Sequence, residues 1–148
     1  MTWRQWIKRK SQHLTDLWRW RILHRRVPED SQELGRWGEW RAGQFLRKKG
    51  FRLLLQNVRM PCGEIDWIAV DQETLVFVEV KTADFELTDR PIVAIHWKKR
   101  RRLRKASRLY LRSLHLPTPP TVRFDAVEVL LYSSHHWECR WTPHLAIP

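Results

Sequence analysis

GEIDWIAVDQETLVFVEVK, residues 63–81, reads as a β-hairpin whose pairing decides the fold. Two runs rich in Ile, Val and aromatic residues flank the polar turn DQET (71–74), in the alternation of paired strands. Any symmetric loop of even length at that turn pairs residues whose numbers add to 145. Asp66 then faces Glu79 and Glu64 faces Lys81, and the period of two puts all four on one side of the sheet. Cβ atoms paired in this way lie about 4.5–5.5 Å apart, and like charges directly opposite each other are unfavourable. The flanking Ile65, Ile68, Val76, Val78 and Val80 argue against free hydration, so a positive charge must stand between Asp66 and Glu79. Lys81 could supply it as an ion pair, one carboxyl could keep its proton, or a divalent cation could be clamped there. Hard Mg²⁺ or Mn²⁺ prefers such carboxylate oxygens.

Working outward, a helix is expected over about 31–49. Asp30 with Glu33 three residues on resembles a capping box, and Gly50 is a natural stop. Glu39 shares a face of that helix with Ala42, Gly43 and Leu46, so it looks toward the sheet. Strand 51–58 precedes the hairpin strands of 64–81, and a loop runs from them through Pro91. A second helix lies near 94–114, PTPP (117–120) ends it, and a long strand follows over 122–132, then a shorter one, WECRW (137–141). The core order αβββαβ specifies an α/β fold with a mixed sheet flanked by helices, in one domain over 31–148.

The chain of 148 residues carries 28 Lys and Arg against 16 Asp and Glu, a net charge of +12. Such an excess favours a polyanionic partner, nucleic acid first and an anionic membrane second. With 43% hydrophobic and 30% charged residues it has the composition of a globular domain. No apolar run approaches the roughly 20 residues of a membrane span, and no apolar block follows the basic N-terminus as in a secretory signal. Cys62 and Cys139 stand without partners at zinc spacing. A cytoplasmic, disulfide-free protein is the expectation. No Ser-His-Asp or Cys-His set has a recognisable spacing, and His135 and His136 fall in a turn as solvated side chains.

Four segments carry a resemblance: GRWGEWRAGQFLRKKGFRLLLQN, GEIDWIAVD, LVFVEVKT and VRFDAVEV. From about Leu34 to Val129 the chain resembles the YraN-like family of predicted endonucleases, which is placed in the PD-(D/E)XK nuclease superfamily near Holliday-junction resolvases. The resemblance implies a restriction-endonuclease-like fold and a Mg²⁺- or Mn²⁺-dependent endonuclease acting on nucleic acid, DNA above all. It also implies Asp66 and Glu79 as metal ligands, Glu39 as a further acidic member and Lys81 beside the attacking water. Glu64 matches the family's GEID in a supporting role, either paired with Lys81 or touching the metal. A non-catalytic nucleic-acid-binding module that keeps the fold is the alternative. The chain departs from the family pattern at Ala83, where an Arg is usual, at the loop LTDRP, and at Trp67 in place of a smaller aliphatic residue. Cleaving a junction takes two active sites, so that substrate would imply a homodimer.

Residues 1–30 lie outside the resemblance as a basic, Trp-rich arm. Trp3, Ile7, Leu14, Leu17, Trp18 and Ile22 share one face of an expected helix over 1–27. Its tryptophans could stack on unpaired bases, sit at a membrane interface, or dock on the domain.

The stretch HWKKRRRLRKASRLYLR (96–112) holds nine Lys and Arg and no acid. Leu103, Ala106, Leu109 and Tyr110 give it an apolar side, and Lys98, Lys99, Arg100, Arg101, Arg104 and Arg108 spread over the rest as phosphate contacts without sequence specificity. If about five phosphates are neutralised, the logarithm of the DNA-binding constant falls against log[salt] with a slope of about −4 to −5. Binding isotherms at several salt concentrations check this, and a slope near zero would refute it.

Overall fold

The structure, a computed structural model, describes residues 2, 5, 6, 26–85 and 97–147. Its elements in chain order are α1 (Ser31–Lys48), β1 (Arg52–Met60), β2 (Gly63–Asp71), β3 (Thr74–Asp84), α2 (Trp97–Ser113), β4 (Val122–Ser133) and β5 (His136–Thr142). The order is therefore αβββαββ, as the mixed sheet requires, with the short strand expected after the αβββαβ core built as a full edge strand. The five strands stand in sequence order across one sheet. Neighbours run antiparallel except β3 and β4, which pair in parallel and are joined through α2.

Local chemistry sets the ends of α1. Asp30 is extended, and its Oδ1 accepts from the N–H groups of Gln32 (2.9 Å) and Glu33 (3.0 Å), two donors the helix leaves over. At the other end Gly50 takes φ +93°, a conformation open to a residue without a Cβ, and Phe51 N–H returns to the Leu46 carbonyl at 3.0 Å.

The sheet is covered on both faces. Trp37, Trp40 and Leu46 of α1 pack against Trp67, Val76, Val78, Val80, Val127 and Val129. Leu103, Ala106 and Tyr110 of α2 pack on the opposite side against Ile65, Ile68, Val70, Leu75 and Phe77. From Trp67 onward alternate residues of β2, and alternate residues of β3, feed two cores, which is why both strands read as nearly continuous apolar runs. The odd positions of β3, Glu79 and Lys81 among them, continue the α2 side that Leu75 and Phe77 begin.

One expectation needs correction. Leu109 is 37% exposed, and Ser107 takes the inward place on α2, its Oγ donating to the Leu103 carbonyl at 2.7 Å. Each helical residue turns about 100° from the last, so 103, 106, 107 and 110 form the inward stripe and 109 falls beside it. The arm helix over 1–27 lies outside the described residues, save its few described positions. Of these, Trp6 is buried and meets Tyr110 edge-to-face at 6.4 Å. The loop through Pro91 and the first turn expected of the second helix also lie outside the described residues. Among the described residues no helix is long and apolar enough to cross a membrane.

The helix α1 approaches the sheet through glycines. A Cβ on Gly38 would stand 1.7 Å from Thr82 Oγ1, and one on Gly43 would stand 2.6 Å from the Trp67 ring, while one on Gly35 would meet nothing within 4 Å. Gly38→Ala is therefore expected to cost about 1–3 kcal/mol by overpacking. Gly35→Ala, on the same helix, should instead gain roughly 0.5–1 kcal/mol from helix propensity. Chemical denaturation of the two variants checks the opposite signs.

Candidate active site

The hairpin pairs as the turn dictates, from Asp71↔Thr74 to Trp67↔Val78. There the β2–β3 ladder stops. Val80 N–H donates to Asp66 Oδ2 at 2.7 Å instead of continuing it, while β3 runs on beside β4 with Glu79↔Ala126 and Lys81↔Glu128. The carboxylates of Asp66 and Glu79 thus lie where two strands part, and Glu79 is only 1% exposed. The positive charge at this pair comes from α2: the Lys99 ammonium contacts Glu79 Oε1.

That contact bears on two lysines. Lys81 follows Glu79 by two residues on the same side of β3 and is half-buried, but among the described residues it forms no ion pair. Lys99 is not a simple phosphate contact on an open helix face. Glu64 also differs from expectation: its ion pair is with Arg59 Nε at 3.9 Å, between two exposed side chains. Because the ladder ends at Trp67, Glu64 is no longer in register with Lys81.

Glu39 joins the pair from α1. The fully buried Trp67 donates its indole N–H to the Glu39 carbonyl at 2.8 Å and fills the space left by Gly43, which fixes this turn of α1 over β2. The side chain then brings Oε2 to a buried position with no hydrogen-bond partner. The large residue at 67, a departure from the family pattern, is thus part of what holds Glu39 in place.

Glu39, Glu64, Asp66 and Glu79 form the acidic side of a cavity of about 600 Å³, and Lys98, Lys99 and Arg102 of α2 form its basic side. The structure thus brings Lys98 and Lys99 to the acidic cluster, together with Arg102, which sequence reasoning passed over. Other basic residues of α2 go elsewhere. Arg100 donates to the Ala146 carbonyl at 3.2 Å, Arg104 and Arg108 border a second hollow of about 420 Å³ with Leu145 and Ile147, and Arg101 is exposed.

Burial is the first cause of every carboxyl shift in the site. It pushes Glu79 up to about 8, with the Asp66 charge adding to it and Lys99 opposing. Burial and the Asp66 charge push Glu39 up to about 7, against the nearby amides of Asn57 and Gln56. Asp66 is also raised by burial, which the Val80 N–H and Lys99 offset only in part. Asp125 shows what a carboxylate serving the fold looks like. It is fully buried and accepts from Arg123 Nε and Nη2 (both 2.9 Å at the closest oxygen), from Trp141 Nε1 (3.0 Å) and from His144 N–H (3.1 Å). The site carboxylates have no such shell of donors.

The donor chemistry suits a hard divalent cation. The groups are oxygen ligands, one buried oxygen lacks a partner, and a cation already stands at the Asp66–Glu79 pair. Among the described residues, no three carboxylate, histidine or cysteine side chains converge closely enough to grip an ion as they now stand.

Residues 38–129 match the model of the uncharacterised protein family UPF0102. A UPF0102 protein of Symbiobacterium thermophilum is 46% identical over 99 residues, covering 67% of this chain and 83% of its own. One from Syntrophomonas wolfei is 40% identical over 104 residues (68% and 87%), and one from Alkaliphilus oremlandii is 38% identical over 113 residues (73% and 97%). The matched segment holds Glu39, Asp66, Glu79, Lys81 and the whole of α2, and each relative is named for the family alone.

The raised carboxyls make metal-free stability fall with pH. Glu39 and Glu79 titrate near 7 and 8 when folded but near 4.5 when exposed, so between about 4.5 and 8 the unfolded chain ionises first. Over that window the folded state holds more protons, and raising the pH destabilises it. Melting temperatures in chelator should drop from pH 5 to pH 8, with a shallower drop for Glu39→Gln.

Proposed function

The chain belongs to the uncharacterised protein family UPF0102, whose name states no reaction, and on the chemistry of the cavity we propose that it is a metal-dependent endonuclease. Its substrate is the phosphodiester backbone of nucleic acid, in branched or structured DNA. The observation that carries this reading is the pairing of buried Glu79 with half-buried Asp66 at the end of the hairpin ladder, opening into a cavity whose other wall is basic. A fold seeking stability alone would not set two poorly solvated carboxylates against each other, as the well-partnered Asp125 illustrates.

Asp66, Glu79 and Glu39 would hold the ion. Mg²⁺ or Mn²⁺ bound there supplies neutralisation of the anionic phosphate oxygens and acidifies a water at neutral pH. The residues of this chain do the rest. Lys98 and Arg102 attract the phosphate to the cavity and set it against the acidic side. Lys81, on the same side of β3 as Glu79, orients the attacking water and stabilises negative charge growing at phosphorus. Asp66 has a second task, since its Oδ2 satisfies the Val80 N–H that the ended ladder leaves over.

Branched, linear and single-stranded substrates incubated with and without Mg²⁺ or Mn²⁺ test the reading, and ion-dependent cleavage is expected. Asp66→Asn keeps shape and an acceptor oxygen for Val80 but removes one anionic ligand. Turnover should fall by ~10²–10³-fold or more, while DNA binding and melting temperature in chelator hold or rise. A well-folded protein that binds DNA but cleaves none of the substrates with either ion would leave the non-catalytic binding module as the function.

A further inference from the structure

We propose that Lys99 is a tethered counter-ion which a divalent cation must displace, so that metal loading of the site releases a phosphate-binding charge. This deepens the metal-dependent reading and rests on it. Glu79 is 1% exposed while the Lys99 side chain is 50% exposed, so the ammonium reaches a buried partner at the end of a chain that still borders solvent. It has a way out.

The chemistry of the two parties sets the conflict. A compact ammonium on a flexible four-carbon stem can leave without disturbing the helix that carries it. The Arg123–Asp125 contact is built differently, with two guanidinium nitrogens on one buried carboxylate and Asp71 held by the same group. That pair is made to stay. Lys99 instead occupies the position at Glu79 that an ion held by Asp66 and Glu79 would need, and two cations at one carboxylate repel. As they stand, the described residues offer no group of three donors closed around an ion. Lys99 is the side chain whose departure would open the pair.

Once displaced, its charge remains on α2 in the same wall as Lys98 and Arg102. A phosphate brought up to Asp66 and Glu79 must pass that wall. The ion-loaded site therefore has one more cation facing the backbone than the ion-free site, and by linkage a bound phosphodiester that engages Lys99 favours the ion in return.

Calorimetric titration of Mn²⁺ into the full chain, without nucleic acid, tests this. If Lys99 holds the pair in all but about a tenth of molecules, Lys99→Gln tightens Mn²⁺ binding about tenfold. Lys99→Arg keeps the charge and should bind Mn²⁺ no more tightly than wild type. Lys98→Gln removes the same charge from the same cavity without vacating the pair, and its gain should be clearly smaller. In chelator Lys99→Gln should melt below wild type, and Mn²⁺ should raise its melting temperature by more than it raises that of wild type. Recovery of a melting transition on adding Mn²⁺ serves the same purpose if that variant is unfolded in chelator. Equal Mn²⁺ affinity in wild type and Lys99→Gln, or equal gains for Lys98→Gln and Lys99→Gln, would overturn displacement while leaving the metal reading intact. Failure of every protein, wild type included, to bind Mn²⁺ would instead remove the metal-dependent function itself.

Discussion

Two carboxylates set close together with little access to water require a cation or a proton between them, and the arrangement around half-buried Asp66 and buried Glu79 follows from that requirement. Charge removed from water costs far more than one hydrogen bond returns, so each way of meeting the cost leaves a structural trace. Here the traces are the raised Glu79 and Asp66 carboxyls, the Lys99 ammonium lent by α2, and the Val80 N–H turned toward Asp66. The last of these depends on the hairpin ladder ending at Trp67↔Val78. Had β2 and β3 stayed zipped, the backbone of Val80 would not be available to Asp66.

The scaffold keeps that opening in place from both faces. On one side, Gly38 lets α1 lie against Thr82 and Gly43 lets it lie against the Trp67 ring, whose indole N–H then secures the Glu39 carbonyl. On the other, Leu103, Ala106 and Tyr110 seat α2 on β2 and β3, which fixes the height at which Lys98, Lys99 and Arg102 meet the acids. The two helices bring opposite charge to one cavity, and the sheet between them sets the spacing.

How much of this could be read from residues alone follows the range of the interaction. The hairpin register came from one turn and a period of two, which are local, and the pairing of Trp67 with Val78 obeys it. The ends of α1 were equally local, written in Asp30 and Gly50. Spacing on one helix face turned Glu39 toward the sheet, and the resemblance implied its place among the acids. Lys99 was not, because its partner comes from a strand on the far side of the parallel crossover, and nothing near it in sequence distinguishes it from Lys98 or Arg100. The mistaken inward place of Leu109 has a similar cause. In a stretch with so many cations the apolar stripe is thin, and Ser107 enters it by bonding its hydroxyl to the Leu103 carbonyl. The pairing of Glu64 with Lys81 failed for a third reason, since period-two counting assumes a ladder that does not stop.

The net charge of +12 acquires its meaning only in this arrangement. Spread evenly, such an excess would draw any polyanion to any face. The fold divides it instead. Arg123 is spent on Asp71 and Asp125 to hold β4 against the hairpin turn, and Arg100 is drawn to the C-terminal segment at Ala146. Lys98, Lys99 and Arg102 remain around a cavity whose other wall is acidic. A polyanion attracted to that wall is brought against carboxylates that repel it, and the conflict is resolved only by a further positive charge between the phosphate and the acids. Lys99 is held at Glu79 and cannot serve both sides at once. A divalent ion can, because it brings two charges and accepts oxygens from protein and phosphate together. On the proposed reading, an ion and a phosphate arrive at one point, which neither wall would achieve alone.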